Sequence, residues 1–171
     1  ADRARYAREN GLTLRQFDIN RDKHPDIFKY YKAATEAGAA ETLVRKELDL
    51  NHDGGIDVVQ VFGDDQQVVE EHADLDFDGR FDEIAHFAGG TLVHKEIDLN
   101  YDGKPEVYKR YKGGKLALIE SDRTGDGKID TWEYFEDGVI DRIGVDTDGD
   151  GEVNSWESKG APAAEEPAPA S

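Results

Sequence analysis

Apolar and aromatic residues recur along the chain in short runs, separated by acidic segments that usually contain glycine, and the runs align when the chain is cut about every 24 residues. Six segments superimpose: DINRDKHPDIFKYY (18–31), DLNHDGGIDVVQVF (49–62), DLDFDGRFDEIAHF (74–87), DLNYDGKPEVYKRY (98–111), DRTGDGKIDTWEYF (122–135) and DTDGDGEVNSWE (146–157). Their leading aspartates are spaced by 31, 25, 24, 24 and 24 residues, regular toward the C-terminus and degenerate toward the N-terminus. A fixed period of this length is the signature of a repeat array.

Each unit reads as two strands and two connections. A run such as Ile129–Glu136 is rich in β-branched and aromatic residues. It is followed by Gly89-Gly90, Gly113-Gly114 or Asp137-Gly138, dipeptides that suit the positive φ angles of type I′ hairpin turns. A second strand such as Val139–Val145 then returns to the next acidic loop. The expected fold is all-β: tandem β-hairpin repeats in an antiparallel meander or solenoid of about 12 strands, with tight turns along one edge and acidic loops along the other. Phe28, Val59, Ile84, Tyr108, Trp132 and Trp156 stand ten places after each leading aspartate, and Tyr31, Phe62, Phe87, Tyr111 and Phe135 stand thirteen after. Ten and thirteen differ in parity, so the two sets should face opposite ways. That predicts a sheet partly apolar on both sides, which calls for strong twist, self-stacking or a partner over one face.

The ends break the pattern. Asp2–Asn10 followed by Gly11 predicts a short helix with a glycine stop, capping the array over residues 1–12. The six-repeat domain then occupies 13–158, and AATEAGAA (33–40) expands the first hairpin turn, read as a helical turn. Residues 159–171 hold three of the five prolines and no apolar period, and read as a disordered tail.

Composition sharpens this reading. Thirty-nine Asp+Glu against 21 Lys+Arg leave a formal charge of −18, which argues against nucleic acid and anionic membrane surfaces as partners. No apolar run is long enough for a transmembrane helix. Cysteine is absent, so disulfides and thiolate metal sites are excluded. Methionine is absent even at position 1, as removal of an export signal, excision of the initiator or trimming would each leave it. No nucleophile elbow, P-loop or dinucleotide glycine pattern is present, and the expectation is a non-enzyme.

The acids concentrate in the loops, whose pattern is Asp-x-(Asp/Asn/Thr)-x-Asp-Gly-x-x-(Asp/Glu/Asn). Alternate residues converge where a chain wraps a small ion, and hard oxygen donors of this kind suit Ca²⁺ better than Mg²⁺. The candidate ligands at places one, three, five and nine are Asp18, Asn20, Asp22 and Asp26 in the first loop, then Asp49, Asn51, Asp53 and Asp57. The third and fourth loops supply Asp74, Asp76, Asp78 and Asp82, then Asp98, Asn100, Asp102 and Glu106. The last two supply Asp122, Thr124, Asp126 and Asp130, then Asp146, Asp148, Asp150 and Asn154. These places hold 19 carboxylates. The first loop is the weakest candidate, because Lys23 replaces the glycine and Arg21 and His24 crowd it. Ordinary turn chemistry accounts for Asp, Asn and Gly singly, but not for six copies in register. The five histidines (24, 52, 72, 86 and 94) show no repeat-matched spacing and read as surface or strand positions.

The loops resemble EF-hand-type calcium loops, D-x-[DN]-x-[DN]-G-x₅-E. The last copy matches in full through Asp146, Asp148, Asp150, Gly151 and Glu157; the fifth matches through Asp122, Asp126, Gly127 and Glu133, with Thr124 at the third place. The resemblance adds Glu133 and Glu157 as ligands. The other copies carry Lys29, Gln60, Ala85 and Lys109 at the closing place, and the flanks read as strands and not paired helices. The chain therefore looks more like the thrombospondin type 3-like and FG-GAP-like class of bacterial and extracellular Asp-rich repeats, with hairpins similar to MORN-type repeats. That resemblance implies several Ca²⁺, up to about six, in a structural or adhesive protein of the cell envelope or extracellular matrix. The location expected is extracytoplasmic: secreted, periplasmic or cell-surface, a lipid anchor on a preceding segment being one form. The alternatives are a glycan- or protein-recognition module using an exposed aromatic face, with Trp132 and Trp156 as platform, or a self-assembling subunit of a calcium-dependent extracellular structure.

Overall fold

The computed structural model describes residues 2–35 and 38–158. The 159–171 tail lies outside them, as do residues 36 and 37; the rest of the 33–40 segment forms no helix. Helix α1 (Arg3–Glu9) starts at Asp2, whose side chain accepts the Arg5 N–H, and stops at Gly11, where φ is +65°. Twelve strands follow: β1 (Leu12–Phe17), β2 (Ile27–Lys32), β3 (Thr42–Leu48), β4 (Val58–Phe62), β5 (Val68–Ala73), β6 (Glu83–Ala88), β7 (Thr91–Ile97), β8 (Val107–Lys112), β9 (Lys115–Ser121), β10 (Thr131–Glu136), β11 (Val139–Val145) and β12 (Ser155–Ser158). Each pairs antiparallel with its chain neighbours in a single open sheet, an uninterrupted meander from β1 to β12.

The turn dipeptides do what their chemistry requires. Asp137 and Gly138 both take positive φ, +48° and +84°, and the twist of such a turn matches that of the strands it joins. Strand lengths differ from expectation at the loop end. The strand read from Ile129 begins at Thr131, because Asp130 turns its carboxylate onto the Arg123 and Thr124 N–H groups and stays with the loop. Five hairpins also carry a register shift at the same point, after Tyr30, Val61, His86, Arg110 and Tyr134. A bulge adds one residue to the returning strand and increases local twist.

Register explains the parity of the aromatic sets. Phe28, Val59, Ile84, Tyr108, Trp132 and Trp156 form one row on one face, alternating across the strands with Glu47, His72, Glu96, Glu120 and Gly144. On the other face Tyr31, Phe62, Phe87, Tyr111 and Phe135 pair with Leu43, Val68, Leu92, Leu116 and Ile140. Both faces carry apolar rows, and most strand side chains are only half-buried.

Among the described residues the buried apolar cluster lies where α1 packs on the first strands, with Val59 and Ala85 buried singly farther along. Ala7, Phe28 and Tyr30 form the cluster, with Leu12, Leu14, Val44 and Ile56 packed around them. Tyr6 meets Tyr30 edge-on, at 5.4 Å between ring centroids. The Tyr30 hydroxyl donates to the buried Glu47 carboxylate, which also takes Arg3 Nε at 3.1 Å and Arg45 Nε at 2.8 Å. Burial, then the Glu47 charge, pushes the Tyr30 phenol well above its ordinary value, so it remains a donor at neutral pH. Tyr30→Ala should cost about 3–5 kcal/mol by urea unfolding, the loss typical of a buried aromatic. Val139→Ala, at a site 67% exposed, should stay within about 0.5 kcal/mol.

Candidate metal centres

Each acidic loop is folded by its own carboxylates. The place-one aspartate accepts the place-six N–H in all six copies: Lys23 to Asp18, Gly54 to Asp49, Gly79 to Asp74, Gly103 to Asp98, Gly127 to Asp122 and Gly151 to Asp146, at 2.6–2.9 Å. The place-five aspartate accepts the place-seven N–H in all six, at 2.7–2.9 Å. The place-nine side chain reaches back to the place-two N–H in all six: Asp26 to Ile19, Asp57 to Leu50, Asp82 to Leu75, Glu106 to Leu99, Asp130 to Arg123 and Asn154 to Thr147. These bonds require two left-handed residues per loop, at places four and six. Glycine meets the second requirement in five copies; Lys23 adopts φ +77° without it, at a steric cost of about 1–2 kcal/mol.

The loops are also chained to one another. The place-one N–H of each later loop donates to the place-nine carbonyl of the loop before it: Asp49 to Asp26, Asp74 to Asp57, Asp98 to Asp82, Asp122 to Glu106 and Asp146 to Asp130, at 2.7–2.9 Å. Asp26, Asp49, Asp57, Asp74, Asp82, Asp98 and Asp146 are buried.

Among the described residues, three groups bring carboxylate oxygens within 4.8 Å of one another: Asp74 with Asp76 and Asp78, Asp98 with Asp102 and Glu106, and Asp146 with Asp148 and Asp150. These could hold a metal ion. In the first two loops the third place is an amide, and Asn20 and Asn51 donate to Asp22 and Asp53. In the fifth, Thr124 Oγ1 donates to Asp122. The closing glutamates stand apart from the groups: Glu133, on β10, is bound by Arg123 at 2.6 Å, and Glu157 lies exposed on β12.

Local electrostatics follow the hydrogen bonds. The His24 N–H holds the Asp22 carboxyl below its usual range, the Gly55 N–H does so for Asp53, and the Gly151 N–H for Asp146. Asp76 moves the other way, raised by burial and by the charges of Asp78, Asp82 and Asp74. One buried oxygen has no partner: Asp49 Oδ1 accepts no hydrogen bond, where its equivalents in the third and fourth loops take the Phe77 and Tyr101 N–H. An unpaired buried carboxylate oxygen is costly unless a cation meets it. The donors are carboxylate, amide and hydroxyl oxygens, the set that hard cations such as Ca²⁺ take.

The sequence did not signal the bridges between loops. His52, at place four of the second loop, binds Asp26 Oδ1 of the first at 2.8 Å. Place two is also exposed, so Ile19, Leu50, Leu75 and Leu99 form a run of exposed aliphatic side chains beside the acids.

No family model matches the chain, and no curated protein does. Among solved structures, one similar chain belongs to "Crystal structure of accessory secretory protein 1,2 and 3 in Streptococcus pneumoniae", at 18% identity and a TM-score of 0.44. The match covers 67% of this chain and 19% of that one, so the present chain spans about a fifth of its length. A likeness at that score carries no argument about function.

The Asp26–His52 bridge has a definite pH signature. Asp26 is lowered by the Ile19 N–H and then by His52, and His52 is raised chiefly by its bond to Asp26. The His52 contribution is therefore complete below the ordinary histidine value and lost as pH rises through the raised one; the Asp26 contribution is present above the ordinary carboxyl value and lost as pH falls through the lowered one. NMR titration should place the His52 midpoint above about 6.5. Asp26→Asn should lower it, and an unmoved midpoint would show that the bridge does not form in solution.

Proposed function

We propose that the chain is a non-catalytic calcium-binding β-repeat protein with a structural or adhesive role outside the cytoplasm, in the cell envelope or extracellular matrix. The observation that carries the reading is Asp49 Oδ1, a buried carboxylate oxygen without a partner inside a loop of oxygen donors. In each loop the ligands would come from places one, three, five and nine and from the place-seven carbonyl. Bound Ca²⁺ supplies positive charge to a cluster that otherwise repels itself; six ions would reduce the formal charge of −18 to −6, a magnitude small soluble domains carry.

The protein's part in this mechanism is linkage. The place-one and place-nine side chains fix the loop backbone, and an ion that binds only the folded loop stabilises the sheet by mass action. With few closing glutamates, affinities near 10⁻⁴–10⁻³ M are expected, the range of extracellular modules. Thrombospondin type 3-like, FG-GAP-like and MORN-like ancestry remain resemblances of loop and hairpin pattern.

A recognition role is the second reading, supported by the aliphatic run Ile19, Leu50, Leu75 and Leu99, each more than half exposed. A protein partner laid along the loop edge would cover it. Trp156, 53% exposed, is the corresponding platform for a glycan.

Calorimetry with Ca²⁺ should give five or six ions per chain, and zero would remove the basis of the proposal. Chelation should lower the melting temperature and weaken the β signal in circular dichroism; an unchanged spectrum and melt would sink the linkage mechanism. Asp49→Asn should remove one ion from the stoichiometry while leaving the others.

A further inference from the structure

Beyond the acidic loops, the register gathers three of the five histidines on one sheet face. Glu70, His86, His94 and Arg110 are successive cross-strand partners on β5, β6, β7 and β8. His72 and Glu96 lie on the same face, each two residues along its strand from Glu70 and His94. Glu96 Oε1 stands 3.4 Å from His94 Nε2 and 3.7 Å from His86 Nε2. Glu70 binds His72 Nε2 at 2.5 Å, and its second oxygen lies 3.6 Å from His86 Nδ1.

We propose that His86, His94 and Glu96 form a site for a divalent transition-metal ion of the zinc class, separate from the oxygen-lined calcium loops. Three features carry this. First, ligands about 2.0–2.2 Å from a tetrahedral zinc lie roughly 3.4 Å from one another, which is the spacing Glu96 Oε1 already keeps from the two imidazole nitrogens. The two rings stack with centroids 5.7 Å apart and 21° between their planes; their nitrogens stand wider apart than ligands of one ion, and binding requires both rings to rotate toward Glu96.

Second, the charge there is unbalanced. Among the described residues neither Glu70 nor Glu96 has a Lys or Arg within 4.0 Å; the nearby Arg110 is bound to Glu120 instead, at 2.6 Å. Third, a supporting shell is in place. Glu70 faces the far nitrogen of His86, as carboxylates behind metal-bound histidines do, and His94 stacks on Tyr108. Nitrogen donors select zinc-class ions over Ca²⁺, and no other element covers this part of the face among the described residues.

The test is Zn²⁺ calorimetry on the full chain with Ca²⁺ in excess, so that the loops do not take up zinc. One Zn²⁺ per chain should bind, with affinity falling at least tenfold in the His86→Ala/His94→Ala variant and holding in Glu136→Gln, at an exposed carboxylate on β10. Circular dichroism of the double variant should match the parent. In the unaltered protein, NMR should show the His86 and His94 ring nitrogens shifting with Zn²⁺ while those of His24 stay still. Absence of zinc binding, undiminished binding in the double variant, or unmoved His86 and His94 signals would each overturn the site.

Discussion

The structure depends on a carboxylate capturing backbone N–H groups at the mouth of every hairpin. Seven of the place-one and place-nine aspartates are buried, so the loop backbone around them needs partners from the protein itself. Place one does this by accepting the place-six N–H, and place nine by accepting the place-two N–H, in all six loops. The same residues that close the turns thereby collect oxygen atoms at one point. Folding the loop and gathering oxygen donors that could hold an ion are one act.

Much of this could be read from the chain alone, and the reasons are local. The 24-residue period, the I′ turn at Asp137-Gly138 and the Asp2 cap are each encoded within a few residues. The parity of Phe28 against Tyr31 marked opposite faces before any strand was placed. What escaped is pairwise and distant. The bulges opposite Tyr30, Val61 and their equivalents arise between strands, and no residue type announces them. The His52–Asp26 bridge joins different loops, and the His86–His94 pair exists only once the Gly89-Gly90 turn and its bulge fix which residues lie opposite. Spacing rules for helices, such as i and i+4, had no reach here.

Coupling between loops follows from their backbone chain. Because the place-one N–H of one loop is held by the place-nine carbonyl of the previous loop, ordering one loop fixes an atom of the next. In a repeat array stability is a sum of unit and nearest-neighbour terms, and these bonds are a nearest-neighbour term on the acidic edge. Strand pairing supplies the other. A charge penalty within one loop, such as the desolvation and then the neighbouring carboxylates that raise Asp76, therefore does not stay within that loop.

The two ends of the array solve the charge problem differently. Residues 1–48 contain 10 Lys+Arg against 8 Asp+Glu, so the remaining chain, with 11 against 31, bears the whole negative excess. At the N-terminal end the protein provides its own cations: Arg3 and Arg45 hold Glu47, and His52 holds Asp26. There too lie α1 and the Ala7–Phe28–Tyr30 core. Farther along no helix covers the sheet among the described residues, glycine replaces the strained Lys23, and the three converging carboxylate groups all fall in the third, fourth and sixth loops. Apolar packing thins out in the same direction as uncompensated charge builds up. The N-terminal repeats are thus packed and charge-balanced by the protein's own groups, whereas the later repeats carry the carboxylate groups that could hold a metal ion.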